Sequence, residues 1–189
     1  RDERVLDPTV PEVLERVRKD TARLNQWGYR LIKHDFSTYD LFGKWGMAMQ
    51  PLVTEDGWGF ADDSLTSAEV VQRFYQAVFE GAGDSLVLGC NCIGHLGVGY
   101  MQLNRTGDDT SGVKWERTRK MGINTLAFRL PQNGAFYAVD ADCVGMSSQI
   151  PWSLNRQWLK LLGYSGTPLF FSVKPGTLSE EEERELKSV

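Results

Sequence analysis

Lys33 and Asp35 stand one residue apart in the stretch YRLIKHDFSTYD, residues 29–40, where an apolar run ends in charge. Charge is costly to bury beside residues such as Ile32 and Phe36, so a strand ending this way points to a site at its end. Alternate residues of a strand share a face, which groups Leu31, Lys33 and Asp35 on one side and Ile32, His34 and Phe36 on the other. An ammonium beside a carboxylate favours the ionised Asp, the form a carboxylate nucleophile requires. The same pair also fits a structural ion pair at a strand end.

Two further clusters carry acid groups. In LNRTGDDTSG, residues 103–112, a strand ending at Arg105 or Thr106 and broken by Gly107 puts Asp108 and Asp109 on a loop. That loop lies at the same C-terminal strand edge as Asp35, and two opposed carboxyls are what general acid/base and nucleophilic work on one bond needs. Asp-Asp-Thr-Ser ahead of SGVKWERTRKMGINTLAFRL also reads as a helix N-cap. In VDADCVG, residues 139–145, Asp140 and Asp142 share parity at the end of an apolar strand. With Asp35 or His95 they suggest a metal. The CNCIGH stretch, however, lacks a second ligand pair at finger spacing, and the chain has 2 histidines, so a site without metal or cofactor is expected.

The elements that must position these residues alternate. Pro11 opens a helix with Val13, Leu14, Val17 and Leu24 at helical spacing as far as Gly28, feeding a strand at 29–36. A long connection, FGKWGMAMQPLVTEDGWGFADD, has the length and aromatics of a binding loop. SLTSAEVVQRFYQAVFEGAG is a helix with Ser64 or Thr66 as N-cap and Gly81 near its end. DSLVLGCN, GYMQLNRTG, AFYAVDADCVG and TPLFFSVKPG read as strands. SGVKWERTRKMGINTLAFRL, PWSLNRQWLKLLGYSG and SEEEERELKSV read as helices, the last with a capping box from Ser179 to Glu182. Five short apolar strands ending in polar residues, alternating with helices, predict a parallel α/β protein. No glycine-rich phosphate loop follows any strand, which favours a (β/α)8 barrel over an open nucleotide-binding sheet. A start at the approach to a helix and an end just inside another read as cuts through a longer fold. Residues 1–189 are thus expected to form part of a barrel.

The 189 residues include 21 basic and 25 acidic side chains, a net charge of -4, with no long basic stripe, which argues against a nucleic-acid partner. No apolar run nears the roughly 20 residues of a membrane span. Three cysteines, at 90, 92 and 143, show no disulfide-scaffold spacing.

Taken in order, IKHDF, NRTGDD, VDADCVG and TPLFFS resemble the alpha-galactosidase superfamily, glycoside hydrolase families 27 and 36. The resemblance implies a (β/α)8 TIM barrel, with this chain covering approximately strands four to eight. It implies Asp35 as nucleophile and Lys33 as a ligand of sugar hydroxyls. Arg105 becomes a substrate-binding residue, and the acid/base aspartate four residues on becomes Asp109, or Asp108 if the Gly-Asp pair is matched instead. Asp140 and Asp142 correspond to a supporting Asp-x-Asp. The GCNCIGHLGVGY run departs from the family pattern, leaving Cys90, Asn91 and Cys92 as candidate sugar contacts, while Trp45 and Trp58 are candidates to stack on a sugar face. The implied reaction is retaining hydrolysis of an α-galactoside or related α-glycoside. The alternatives are a raffinose-synthase-like glycosyltransferase and a non-catalytic carbohydrate-binding barrel. Expected partners are an oligosaccharide or glycoside substrate and an N-terminal barrel half, in the same or a separate chain. Five strands alone would leave unpaired edges that seek a partner, a second copy included.

Overall fold

A computed structural model describes residues 5–44 and 59–189. The chain divides into two compact units, Arg1–Asn104 and Arg105–Val189. Among the described residues no helix is long and apolar enough to cross a membrane.

The first unit is built on parallel strands. Helix α1, Pro11–Gln26, has Pro at its first turn and leads through Gly28 into β1, Leu31–Asp35. The short helix α2, Ser37–Phe42, was not expected; Phe36 takes a left-handed backbone, φ 57°, and starts it. Helix α3, Ser67–Ala82, is capped by Thr66, whose side chain accepts from the Glu69 amide while Glu69 reaches back, so the cap is Thr66 rather than Ser64. Strand β2, Leu86–Cys90, runs parallel to β1 in a register that sets Lys33 against Leu88 and Asp35 against Cys90. It pairs in turn with β3, Leu103–Arg105, through Leu88 and Gly89. Ile32 and Val87 of the strands and Val71, Phe74, Tyr75 and Val78 of α3 form the core.

Helix α3 lies close against α1, and Gly81 is the reason it can. A Cβ there would meet the Arg18 carbonyl oxygen at 2.5 Å and the Thr21 Cβ at 2.9 Å. The Arg18 Nε to Glu80 bond at 2.6 Å and the Asn25 amide on Ser85 at 2.7 Å fasten the same contact. Gly81→Ala gains helix propensity, yet it must push the helices apart. We expect a net loss of about 1–3 kcal/mol, read as a lowered midpoint in urea with unchanged slope. An unchanged or raised midpoint would show that the helix pair yields without cost.

The second unit contains the largest departures from expectation. The stretch read as one helix is instead α4, Trp115–Arg117, then a π-helical turn, Thr118–Asn124, then α5, Thr125–Arg129. Neither Asp108 nor Asp109 caps it: the preceding residue is Lys114, extended and without a side-chain cap. The stretch AFYAVDADCVG is two strands, β4, Ala138–Asp140, and β5, Cys143–Met146, giving six strands among the described residues rather than five. The break falls at Asp142, whose φ of 71° turns the chain, so parity along a single strand does not align the two aspartates. Helix α6, Trp152–Ser165, packs Trp158, Leu159 and Leu162 onto Val139, Val144 and Met146. Trp158 donates to the Cys143 carbonyl at 3.1 Å and Asn155 to the Gly145 carbonyl at 3.1 Å. Strand β6, Phe170–Val173, is parallel to β5, and α7, Glu180–Leu186, has the expected box from Ser179 to Glu182.

Candidate active site

Two clusters form at the C-terminal ends of the strands, one in each unit. In the first unit the alternation along β1 is realised. His34 turns inward, its ring 5.3 Å from Phe74 and 6.2 Å from Tyr75. Burial pushes its pKa down to about 4, against the pull of the Asp35 charge, so it is neutral at pH 7. Lys33 and Asp35 share the other face with Nζ 3.2 Å from Oδ2.

Asp35 is held from both sides. The Asn91 amide donates to Oδ1 at 2.8 Å, and the Cys90 thiol also bonds the carboxylate. Burial alone would raise its pKa; the hydrogen bonds from Asn91 and Lys33, the Lys33 charge and the Cys90 thiol outweigh burial and hold it below the usual value. Asp35 is therefore an ionised carboxylate, with its charge presented on the exposed side of β1. Asp40 in α2 shifts the other way, raised by burial and by the charge of Asp35. No feature of sequence spacing singles out Asp40.

Beneath this pair a polar network fixes the turn after β2. Tyr75 accepts from the Ile93 amide at 2.8 Å and lies 3.1 Å from the Ser37 hydroxyl, which donates to Cys92 Sγ at 3.3 Å. Burial raises the Cys92 thiol, and it raises Cys143 to about 11, with Asp142 adding to the second. Neither is a reactive thiolate at neutral pH.

In the second unit Arg105 organises the acids. Its side chain is 6% exposed, and its Nη2 lies 2.7 Å from Asp109 Oδ1 and 3.1 Å from Asp142 Oδ2. Asp142 also accepts from the Thr110 amide at 2.6 Å, and its own amide donates to Asp140 Oδ1 at 2.8 Å. Thr110, fully buried, places its hydroxyl 2.7 Å from the Cys143 carbonyl. Asp108 has both oxygens engaged, Oδ1 by the Asp109 amide at 2.7 Å and Oδ2 by Arg117 at 2.8 Å. Asp109, with a side chain 70% exposed, has Oδ1 on Arg105 and reaches solvent.

The loop carrying these acids is locked to β5 by two glycines. A Cβ on Gly112 would sit 2.3 Å from the Gly145 carbonyl oxygen, and one on Gly145 would sit 2.5 Å from the Gly112 amide nitrogen. Ser147 adds a bond to the Gly112 carbonyl.

Lys33, Asp35, Cys90 and Asn91 are thus brought together in one unit, and Arg105, Asp108, Asp109, Asp140 and Asp142 in the other. Trp45 and Trp58 lie outside the described residues. Thr110, which pins Asp142, escaped the sequence reading because a loop threonine carries no signal of its own. Among the described residues no three His, Cys, Asp or Glu side chains gather as a metal site.

Neither a protein-family model nor a curated protein sequence matches the chain. Solved structures do match. An alpha-galactosidase from Thermus thermophilus in complex with stachyose superposes with a TM-score of 0.64 at 20% identity, covering 97% of this chain and 39% of its own. The same enzyme with p-nitrophenyl alpha-D-galactopyranoside gives 0.59 at 19%, covering 97% and 37%. A GH27 β-L-arabinopyranosidase from Geobacillus stearothermophilus, a D197A variant in complex with arabinose, gives 0.64 at 13%, covering 92% and 40%. The chain therefore spans about two fifths of the length of these structures. Its fold is that of part of an alpha-galactosidase or arabinopyranosidase, the group of glycosidases that its four motifs resemble.

Proposed function

We propose that this chain is the part of a (β/α)8 barrel spanning approximately strands four to eight, and that the protein hydrolyses α-galactosides or related α-glycosides with retention of configuration. The observation that carries the proposal is Asp35: a carboxylate held ionised at the end of a parallel strand by Lys33 and Asn91, in a fold shared with glycosidases. Such a group is fit to attack an anomeric carbon.

Asp109 is the acid/base in this reading. Of the two neighbouring acids it is the one whose bonds leave an oxygen to meet a leaving group, since both oxygens of Asp108 are engaged. Asp109 and Asp142 share the Arg105 guanidinium, which fixes where Asp109 stands. Lys33, half exposed beside the nucleophile, and Arg105 hold sugar hydroxyls. Asp140 and Asp142 keep Arg105 and the loop in place. The substrate is a glycoside or oligosaccharide, and the N-terminal part of the barrel supplies the rest of the sugar pocket.

The test is hydrolysis of a panel of nitrophenyl α-glycosides by the full-length protein, with the first-formed sugar anomer followed by proton NMR. We expect cleavage of the galactoside with the α-anomer appearing first. A β-anomer appearing first would overturn retention. Sugar binding without any cleavage across the panel would overturn the hydrolase reading in favour of a non-catalytic barrel.

A further inference from the structure

We infer that Asn91 is a positioning residue for the nucleophile, fixing Asp35 Oδ1 so that Oδ2 is the attacking atom, an inference that rests on the glycosidase reading above. The parallel register places Asp35 beside Cys90, the last residue of β2, and the Phe36 amide donates to the Cys90 carbonyl at 3.2 Å. The next residue, Asn91, adopts a left-handed backbone with φ 48°, uncommon for a residue other than glycine. That turn curls its side chain back over the strand end. Its amide nitrogen donates to Asp35 Oδ1 at 2.8 Å and lies 3.7 Å from Cys90 Sγ, so both amide hydrogens have acceptors within the protein. A sugar hydroxyl would find only the side-chain Oδ1 of Asn91.

The backbone around Asn91 is itself fixed. Thr38 donates to the Asn91 main-chain carbonyl at 3.4 Å, and Tyr75 holds the Ile93 amide two residues on. Strained conformations of this kind persist where the surroundings over-determine them, and they concentrate at functional sites. Lys33 contrasts with this: its side chain is 52% exposed on a flexible stem, so its contact with Oδ2 is the one a substrate can displace. One carboxylate oxygen is thus anchored by a rigid donor, and the other faces the mobile one.

In the first step Oδ2 of Asp35 bonds to the anomeric carbon as the bond from that carbon to the aglycone oxygen breaks, and the acid/base gives that oxygen its proton. In the second step water, deprotonated by the same acid/base, displaces Asp35 and restores the carboxylate. The Asn91 bond to Oδ1 holds the carboxylate plane through both.

Asn91→Gly removes the amide while accepting the left-handed backbone without strain, and Asn91→Asp keeps the shape but replaces the donor with a like charge. Steady-state kinetics on an aryl α-galactoside by the full-length protein, with thermal melts and pH profiles, test the assignment. We expect Asn91→Gly to melt no lower than the parent, to lose about 10²-fold in kcat with KM nearly unchanged, and to show the acid limb of kcat/KM at higher pH. Asn91→Asp should lose more. A raised KM with unchanged kcat and acid limb would make Asn91 a sugar ligand and overturn the inference alone, as would full activity of Asn91→Gly. A parent without glycosidase activity overturns the glycosidase reading, and the inference falls with it.

Discussion

Asp35→Gly in the full-length protein is expected to lower kcat by about 10⁴-fold or more, and added azide is expected to restore turnover with a β-glycosyl azide as product. The size follows from the role. A residue that forms the covalent intermediate has no substitute in the site, whereas a residue that only binds loses a few kcal/mol of affinity. Azide fits the space left by the carboxylate and attacks from the same side, so its product has inverted configuration. The acid/base still delivers a proton to the leaving oxygen in that reaction, which separates the variant from one that has merely unfolded. Asp35→Asn is a useful companion, because it keeps the shape and removes the charge that Lys33 and Asn91 hold. If Asp35→Gly keeps activity within tenfold of the parent, or if azide yields no glycosyl azide from an otherwise folded variant, Asp35 is not the nucleophile.

The second large effect separates the neighbouring acids. Asp109→Ala should lose about 10²–10⁴-fold on an alkyl or sugar aglycone, which needs a proton, and far less on a dinitrophenyl leaving group, which does not. Asp108→Ala should not show this dependence on the leaving group. It loses the bonds to Arg117 and to the Asp109 amide, so a modest fall common to all substrates is expected. The comparison has a clear opposite outcome. Leaving-group dependence in Asp108→Ala but not in Asp109→Ala would exchange the two roles, and would mean that Arg117 releases its carboxylate when substrate binds.

Much of this arrangement was legible in sequence because it rests on short-range rules. Period-two alternation along β1 put Lys33 and Asp35 together on one face and His34 on the other. The Ser179 to Glu182 spacing forecast the cap of α7. Longer-range or competing local effects were not legible. The run AFYAVDADCVG is apolar enough for one strand, but the Asp140 carboxylate captures the Asp142 amide two residues on, and this local bond competes with the extended ladder. The role of Asn91 needed the register of β1 against β2, because only pairing shows that the residue after Cys90 ends beside Asp35. Phe36 gave no hint of a left-handed turn, since its composition signal is that of a strand.

The glycine contact between residues 112 and 145 would bear on the tempo of the proposed reaction. Many enzymes carry a catalytic acid on a flap whose opening and closing sets the turnover time. Here the segment bearing Asp108 and Asp109 is riveted main chain to main chain at Gly112, with Thr110 buried beneath it. Such a joint has no hinge to swing and no room to lengthen. On the proposed function, changes in substrate range at this loop would then come from exchanging side chains on a fixed frame, and the proposed acid/base would stand ready without waiting for a door to shut.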